Sequence, residues 1–418
     1  MGVKRVEKNR RKSIRRSINA YPWLFGFTGD LLFYVAIDTL FLSFVKNFSE
    51  AEIVSLASFS QLICILLQFP TLFVIKKIGN TAATRLGAFF LLLSALFITF
   101  GPTYFVVLLG LLFHKLAALL NSASIVALEN NLDLLDRRSD FVRVRTTANT
   151  IYSIITMLIS FVASFMFNLY HYLPMIGCIT TCTVGFFISL FMKDHSNYNK
   201  ISYKNQPKQR VKIKWNVFII LAVSMYGLFY TAVSGGQIEG KLFIQQQMLL
   251  AVNTEKTVLI IGAIVCVSRI IRVVSNIVFA KLYEKFQEKC GIVVTAMLGL
   301  SIGCLLFGSV IPALIAKILV MGLGYTIILF VIDPFKLYMQ DVLFANTPKE
   351  QHQTLLVVLQ FSYTIVQAGV GLIFSAILLA YPMVVVMTLV FVLSIVSLIL
   401  SLFMYRSVMI GRKSVASE

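Results

Sequence analysis

The stretch GFTGDLLFYVAIDTLFL, from Gly26 to Leu42, decides how the chain folds. It lies within an apolar segment, 22–45, which exceeds the ~20 residues that a helix needs to cross a lipid bilayer. It nevertheless carries two carboxylates, Asp30 and Asp38. A charged side chain inside a spanning helix costs about 2.5–3.5 kcal/mol on insertion scales, so its presence indicates a function by default.

Asp30 and Asp38 lie on one side of the predicted helix. At about 100° and 1.5 Å per residue, they are roughly 80° apart around the axis and about 12 Å apart along it. Tyr34 lies midway, one turn from each. This pattern indicates a polar stripe facing an aqueous interior, or a structural ion pair with a base on another helix. Both readings stay open, and we expect at least one of the carboxylates to be functional.

The composition is that of an integral membrane protein. Of the 418 residues, 58% are hydrophobic and only 13% are charged, whereas a soluble domain has roughly 25% charged residues. The basic N-terminus is not followed by a short apolar region with a cleavage site, so we expect no signal peptide. The cysteine spacing matches no metal site, and we expect neither a metal nor a cofactor.

Twelve apolar segments predict an all-α protein with twelve transmembrane helices. They span 22–45, 52–75, 83–101, 103–128, 146–168, 172–192, 216–235, 256–280, 291–310, 312–332, 354–379 and 382–405. The predicted domains are a basic arm (1–21), a six-helix bundle (22–192), a linker (193–214), a second six-helix bundle (215–405) and a tail (406–418). The linker is too polar to be buried.

The net charge of +19 is explained by basic residues that lie mostly outside the predicted helices. Most of the 37 Lys and Arg residues fall in the arm, the linker, the tail and alternate connectors, which the positive-inside rule assigns to the cytoplasm. The pattern argues against nucleic acid as a partner. It predicts a cell-membrane protein with both termini cytoplasmic and the loop 235–255 outside. We expect a monomer whose basic arm attracts anionic headgroups of the inner leaflet.

Two six-helix halves around a basic linker, each with a basic connector between its second and third helices, resemble the major facilitator superfamily of bacterial type. The connector motif of that family, Gly-x-x-x-Asp-Arg-x-Gly-Arg-Arg, is degenerate here. In LFVIKKIGNT, 72–81, Gly79 is kept, but Lys76 and Lys77 stand at the Asp and Arg positions. The resemblance implies two pseudo-symmetric bundles and secondary transport, while the acid of the cytoplasmic gate is absent from this connector.

Besides histidine, six ionisable residues fall well inside predicted helices. They are Asp30, Asp38, Lys115, Arg269, Arg272 and Lys317. At 1.5 Å per residue, Asp38 matches Lys317 in depth and Asp30 matches Arg272. The resemblance implies that the first, fourth, seventh and tenth helices line a central cavity, which would place both aspartates and both lysines there. Arg269 and Arg272 lie one turn apart. Together with Lys76 and Lys77, they are candidates for charge pairing or gating.

The uncharged candidates for the cavity are Asn121, Tyr226 and Tyr230, beside Tyr34. Tyr226 and Tyr230 are one turn apart, and aromatic rings with a polar group suit amphipathic ligands. Tyrosine is also common at membrane interfaces, so a packing role is equally open. We expect His114 to pack between helices.

The motifs give no support for an enzyme, and we expect none. The chain has no nucleotide-binding loop and no metalloprotease motif, so uphill work must draw on an ion or solute gradient. Two intramembrane carboxylates favour proton-coupled export of a small amphipathic or drug-like solute by alternating access. Desolvation would make Asp38 the proton carrier and leave Asp30 a structural or gating role. The four bases against two acids inside the helices favour an alternative, an uptake or exchange carrier for a small anionic metabolite.

Overall fold

The computed structural model describes residues 2–195, 215–286, 289–348 and 351–416. All regular elements in these ranges are helical. The α-helices are α1 (Gly2–Thr28), α2 (Leu32–Leu40), α3 (Glu50–Ile78), α4 (Asn80–Phe100), α5 (Tyr104–Asn121), α6 (Ala123–Asp133), α7 (Phe141–Leu169), α8 (Leu173–Phe191), α9 (Val217–Leu249), α10 (Thr254–Phe286), α11 (Cys290–Ser309), α12 (Leu314–Ala345), α13 (His352–Leu378) and α14 (Met383–Ala416). A π-helical turn, Phe41–Val45, follows α2, and a 3₁₀ turn, Arg138–Asp140, precedes α7.

The described residues contain twelve helical stretches long and apolar enough to cross a membrane, which confirms the predicted number. The first stretch joins α1, α2 and the π-helical turn, and the fourth joins α5 and α6. Large apolar side chains such as Leu66, Phe69 and Phe73 are exposed on helix faces. Such faces suit lipid, because the backbone groups of a helix are already hydrogen-bonded internally. The chain is a multi-pass integral membrane protein.

The helices form two compact units. The first contains Met1–Phe41 and Ile63–Lys208, and the second contains Leu42–Leu62 and Gln209–Glu418. The start of α3 thus groups with the second unit, whereas the predicted first bundle included it. Two contacts explain the difference, because Ser375 Oγ donates to the Ala51 carbonyl at 2.8 Å and Ser58 lies against Gly371. Residues 196–214 of the predicted linker and 417–418 of the tail lie outside the described ranges.

The described part of the basic arm is helical and continues into the first span. Ile14 and Ile18 of α1 are buried against Leu128 and Leu132 of α6. Arg15, Arg16 and their basic neighbours are exposed. This division gives α1 one apolar stripe and one charged face, the pattern of an amphipathic helix packed on its own unit.

The predicted outer loop 235–255 is wrong in its extent, because α9 runs unbroken to Leu249. The segment SGGQIEGK, 234–241, is polar enough to end an apolar run, yet it is buried by close packing. A side chain at Gly235 would approach Val390 of α14 to 2.9 Å, and one at Gly236 would approach Ile328 of α12 to 2.6 Å. Small residues let membrane helices approach closely, and this packing outweighs the low helix propensity of glycine.

Candidate functional site

The first span is interrupted at the first of the two predicted carboxylates. Because α1 ends at Thr28 and α2 begins at Leu32, Asp30 lies on non-helical backbone between them. Only glycine fits at the break, since a Cβ on Gly29 would lie 2.8 Å from the Phe25 carbonyl and 3.0 Å from the Tyr152 ring. Discontinuous helices of this kind present backbone groups and polar side chains at membrane depth in transporters.

Asp30 is held from two sides within the first unit. Its Oδ1 accepts the Leu31 backbone N–H at 2.8 Å, close to the α2 N-terminus, where the helix dipole favours negative charge. The same oxygen lies 3.0 Å from His114 Nε2 of α5, and the two side chains are 27% and 20% exposed. A carboxylate and an imidazole at this distance form an ion pair when the histidine is protonated. His114 is therefore more than the packing residue that the sequence predicted.

The fourth span is interrupted beside the same break. Its first helix, α5, ends at Asn121, whose Nδ2 donates to the Thr28 carbonyl at 3.3 Å. Asn121 Oδ1 is buried and has no hydrogen-bond partner among the described residues. Gly87 of α4 lies directly against this side chain. The predicted cavity residue Asn121 thus joins the end of α1 to α5.

Tyr34 and Asp38 lie on α2, but Asp30 precedes this helix, so the predicted stripe on one continuous helix is interrupted at Asp30. Tyr34 is 7% exposed and within electrostatic reach of both Asp38 and Asp30. Asp38 accepts the Thr39 backbone N–H at 2.7 Å. Lys115 of α5 is partly buried and close enough to influence the Cys64 thiol. The first unit therefore collects most of the polar residues that the sequence singled out.

An acid lies beside the degenerate connector, although it comes from a different part of the chain. Asp194 Oδ2 accepts hydrogen bonds from Asn80 Nδ2 of α4 at 2.7 Å and from Asn130 Nδ2 of α6 at 2.9 Å. Lys76 and Lys77 end α3 as exposed side chains, and their gating role stays a prediction. Asp194 belongs to the predicted linker, whose first residues are thus fixed to α4 and α6.

The second unit contains a cluster of aromatic rings. The centroids of Tyr226 and Tyr230 lie 4.6 Å apart, and Tyr363 of α13 lies 5.3 Å from Tyr230. Phe335 of α12 lies 5.8 Å from Tyr230. The Tyr230 hydroxyl donates to the Ile332 carbonyl at 3.2 Å. The two predicted tyrosines thus belong to one surface built by three helices.

A charged pair adjoins this aromatic cluster. Arg272 of α10 donates to Asp333 of α12 from Nε at 2.9 Å and from Nη2 at 3.2 Å. The depth match had paired Arg272 with Asp30, but the structure gives each a partner inside its own unit. The sequence prediction missed Asp333 because that residue directly follows the last one assigned to the tenth span. A bidentate arginine–carboxylate pair is strong and geometrically specific.

Two further predicted bases lie in the second unit. Arg269 Nε is buried without a hydrogen-bond partner among the described residues. Lys317, in the first turn of α12, is partly buried, and its predicted pairing with Asp38 stays a prediction. The sequence also missed Glu239 and Lys241 of α9, which are 4% and 5% exposed. The SGGQIEGK segment held the signal, because a glycine-rich polar stretch directly after an apolar run is compatible with a continued, closely packed helix.

The fold is similar to those of solved transporters. A variant of the nucleoside transporter NupG matches with a TM-score of 0.75 and 10% identity, over 93% of this chain and 99% of that chain. The POT family transporter PepTSo matches with 0.70 and 10%, over 96% and 99%. A bacterial homologue of the iron transporter ferroportin, in an inward-facing state, matches with 0.65 and 12%, over 93% and 98%. No protein-family model and no curated protein sequence matches the chain.

Proposed function

We propose that this chain, which has the fold of the major facilitator superfamily and not that of an enzyme family, is a secondary active transporter. It works by alternating access and couples proton movement to the export of a small amphipathic or drug-like solute. The observation that carries the coupling is the pair of Asp30 and His114, 3.0 Å apart at a break in the first span. Intramembrane carboxylates and histidines form the proton relays of pumps and transporters.

The pair supports proton coupling through its chemistry. Imidazole has an unperturbed pKa of about 6.5 and is the side chain that changes charge between pH 5 and 8. When a proton binds, the pair becomes a carboxylate facing an imidazolium. When it leaves, a carboxylate facing a neutral ring remains. A transporter whose two states differ in the stability of this pair would couple proton binding to the conformational change.

The aromatic cluster of the second unit supports an amphipathic solute. Tyrosine rings bury large apolar area and keep a hydroxyl for a polar group of the ligand. Tyr226 and Tyr230 are partly exposed, so their rings are not wholly used by packing. The names of the neighbouring structures mention unlike solutes: NupG is a nucleoside transporter, and another neighbour is a bacterial homologue of the iron transporter ferroportin. The fold therefore does not determine which solute is transported.

An uptake or exchange carrier for a small anionic metabolite is the second candidate. The buried, unpartnered Nε of Arg269 favours it, because a buried guanidinium donor requires an acceptor. Against it, Arg272 is already paired with Asp333, and the first unit places a carboxylate and an imidazole 3.0 Å apart at a break in the first span. For this reason we rank the proton-coupled exporter first.

Purified protein in liposomes tests the proposal. A pH gradient is imposed, and a panel of an amphipathic fluorescent dye, a nucleoside and a dicarboxylate is offered, with a pH-sensitive dye reporting proton movement. We expect the gradient to drive accumulation of the amphipathic dye, with proton movement in the opposite direction. Accumulation of the dicarboxylate alone would support the second candidate. No flux of any solute under any gradient would contradict transport.

Topology gives an independent prediction. Both termini are expected in the cytoplasm, because most Lys and Arg residues lie on that side. The turn after α9 is then outside, and Leu250 in it is 78% exposed. A cysteine introduced at Leu250 should react with an impermeant thiol reagent in intact cells. One introduced at Lys77, which is exposed at the end of α3, should react only after lysis. The reverse pattern would invert the orientation.

The aromatic cluster predicts a change in affinity. Replacing Tyr230 by Ala removes a ring that lies 4.6 Å from Tyr226 and 5.3 Å from Tyr363. We expect the KM for the amphipathic solute to rise roughly tenfold, equivalent to about 1.4 kcal/mol. Tyr230→Phe is the matched control, because it keeps the ring and loses only the bond to the Ile332 carbonyl. Equal effects of the two variants would show that the hydroxyl matters and the ring does not.

A further inference from the structure

A small polar cavity lies inside the second unit, apart from the aromatic cluster. It has a volume of about 20 Å³, which is room for about one water molecule. Its walls come from α9, α13 and the start of α3. The polar lining residues are Ser58, Thr231, Ser234, Glu239 and Gln367.

Several oxygen atoms in the lining of this cavity are available as hydrogen-bond acceptors. Ser58 Oγ donates to the Val54 carbonyl at 2.8 Å, and Thr231 Oγ1 donates to the Gly227 carbonyl at 2.7 Å. The protons of both hydroxyls therefore point into backbone, and their lone pairs remain. Gln367 uses Nε2 to donate to Ser234 Oγ, while its Oε1 has no partner among the described residues. These oxygen lone pairs can accept a hydrogen bond from a protonated acid.

Glu239 is the acid of this cavity. Its side chain is 4% exposed, and Oε2 is buried without a hydrogen-bond partner among the described residues. An isolated ionised carboxylate in such a place is so unfavourable that the group takes up a proton instead. The neutral acid has an O–H to donate to an acceptor in the cavity. A proton on Glu239 would therefore find an acceptor inside the cavity.

The groups around Glu239 are consistent with a neutral acid. None of the other described residues lining the cavity is ionisable. Leu305 of α11, Ile328 of α12 and Val390 of α14 are apolar and lie against the glycines of the SGGQIEGK segment that contains Glu239. Lys241 is two residues along α9, so it projects about 200° away around the axis, and it has an interaction of its own. From α13, Tyr363 is a neighbour of Gln367 but does not line the cavity.

We propose that Glu239 is a proton-binding residue of the transport cycle, neutral while the cavity is closed and ionised when the cavity opens to water. The inference rests on the proposed proton-coupled function and adds a second proton site to the Asp30–His114 pair. Gln367 links this site to the aromatic cluster. Its side chain donates to Ser234 at the cavity and is a neighbour of Tyr363 in the cluster. Proton release from Glu239 and solute binding thus act on the same α13 side chains.

Infrared difference spectroscopy and transport measured on the same purified proteins test this proposal. In the wild type at neutral pH, we expect the C=O band of a neutral carboxyl, and Glu239→Gln should remove it. In liposomes, Glu239→Gln should reduce pH-driven accumulation of the amphipathic dye to the level of empty liposomes while solute exchange continues. Glu239→Asp, which keeps an acid, should retain accumulation at a lower rate. Glu255→Gln, at an exposed glutamate of the same unit, is the matched control and should change neither measurement.

The outcomes separate this inference from the proposed function. If the wild type accumulates the dye and Glu239→Gln does so equally, the inference is overturned and the function stands. If the carboxyl band is unchanged by Glu239→Gln, Glu239 is not neutral and the inference is overturned. If a sodium gradient, and not a pH gradient, drives the wild type, both fail. Glutamine has the shape of the neutral acid, so failure of this variant to fold would itself contradict a neutral Glu239.

Discussion

Asp30→Asn is expected to abolish proton-driven accumulation while leaving solute exchange measurable. Asparagine keeps an oxygen for the hydrogen bond from the Leu31 N–H, which Asp30 accepts at 2.8 Å. The break between α1 and α2 should therefore survive. What is lost is the negative charge 3.0 Å from His114 Nε2, and with it the ion pair that a protonated imidazole would form. The measurement is solute uptake into liposomes with and without a pH gradient.

His114→Gln provides the complementary test. Glutamine can donate to Asp30 from its amide nitrogen but has no ionisable ring, so we expect pH-driven accumulation of the solute to be lost. His171→Gln is the matched control, because His171 is an exposed histidine of the same unit that packs on the Phe167 ring.

If Asp30→Asn still concentrates solute under a pH gradient, the coupling role moves to Asp38, as the sequence had favoured.

The structure changed the choice between the two aspartates for a physical reason. From sequence, Asp38 was favoured because its neighbours are apolar, and Asp30 was expected to be kept ionised by water and basic loops. Sequence spacing does not show that the helix breaks at Gly29, nor that α5 brings His114 to the break. Partners from distant parts of the chain decide the chemistry of an embedded acid, and hydropathy contains no information about them.

The number of spans was predictable because it depends on a local property. Each bilayer crossing needs about 20 apolar residues, and the same pattern recurs in transporters that share only 10–12% identity with this chain. The fold is thus specified by length and hydrophobicity, which many sequences satisfy. The resemblance in fold was therefore predictable, although Lys76 and Lys77 stand at the Asp and Arg positions of the connector motif.

The ends of the spans were not predictable in the same way. The sequence stopped the seventh span at Gly235 and the tenth before Asp333, since polar residues follow in both cases. In the structure, α9 continues because its glycines pack closely against α12 and α14, and α12 continues because Arg272 pairs with Asp333. The acids Glu239 and Asp333 were missed for one reason: a hydropathy profile does not distinguish an acid in a continuing helix from an acid in a loop.

Breaking the pair between Arg272 and Asp333 is expected to cause the largest loss of stability among the changes considered. Asp333→Asn leaves a guanidinium without its charge partner, and hydrogen bonds to charged groups contribute about 1.5–3 kcal/mol each. The side chains are 34% and 25% exposed, so the loss should fall below the ~3–5 kcal/mol of a fully buried pair. The loss of stability is measured by heating the protein in detergent and determining how much monodisperse protein remains at each temperature.

A double-mutant cycle separates this pair from local damage. Arg272→Met and Asp333→Asn should each lower the melting temperature, and the double variant should be more stable than the sum of the two losses predicts, because no charge is left unpaired. Lys336→Met is the control, since Lys336 is exposed on the same helix three residues after Asp333. Tyr230 bonds the Ile332 carbonyl next to Asp333, so the single variants should also raise the KM for the amphipathic solute. Strict additivity of the two substitutions would show that the contact holds neither the fold nor the aromatic cluster in place.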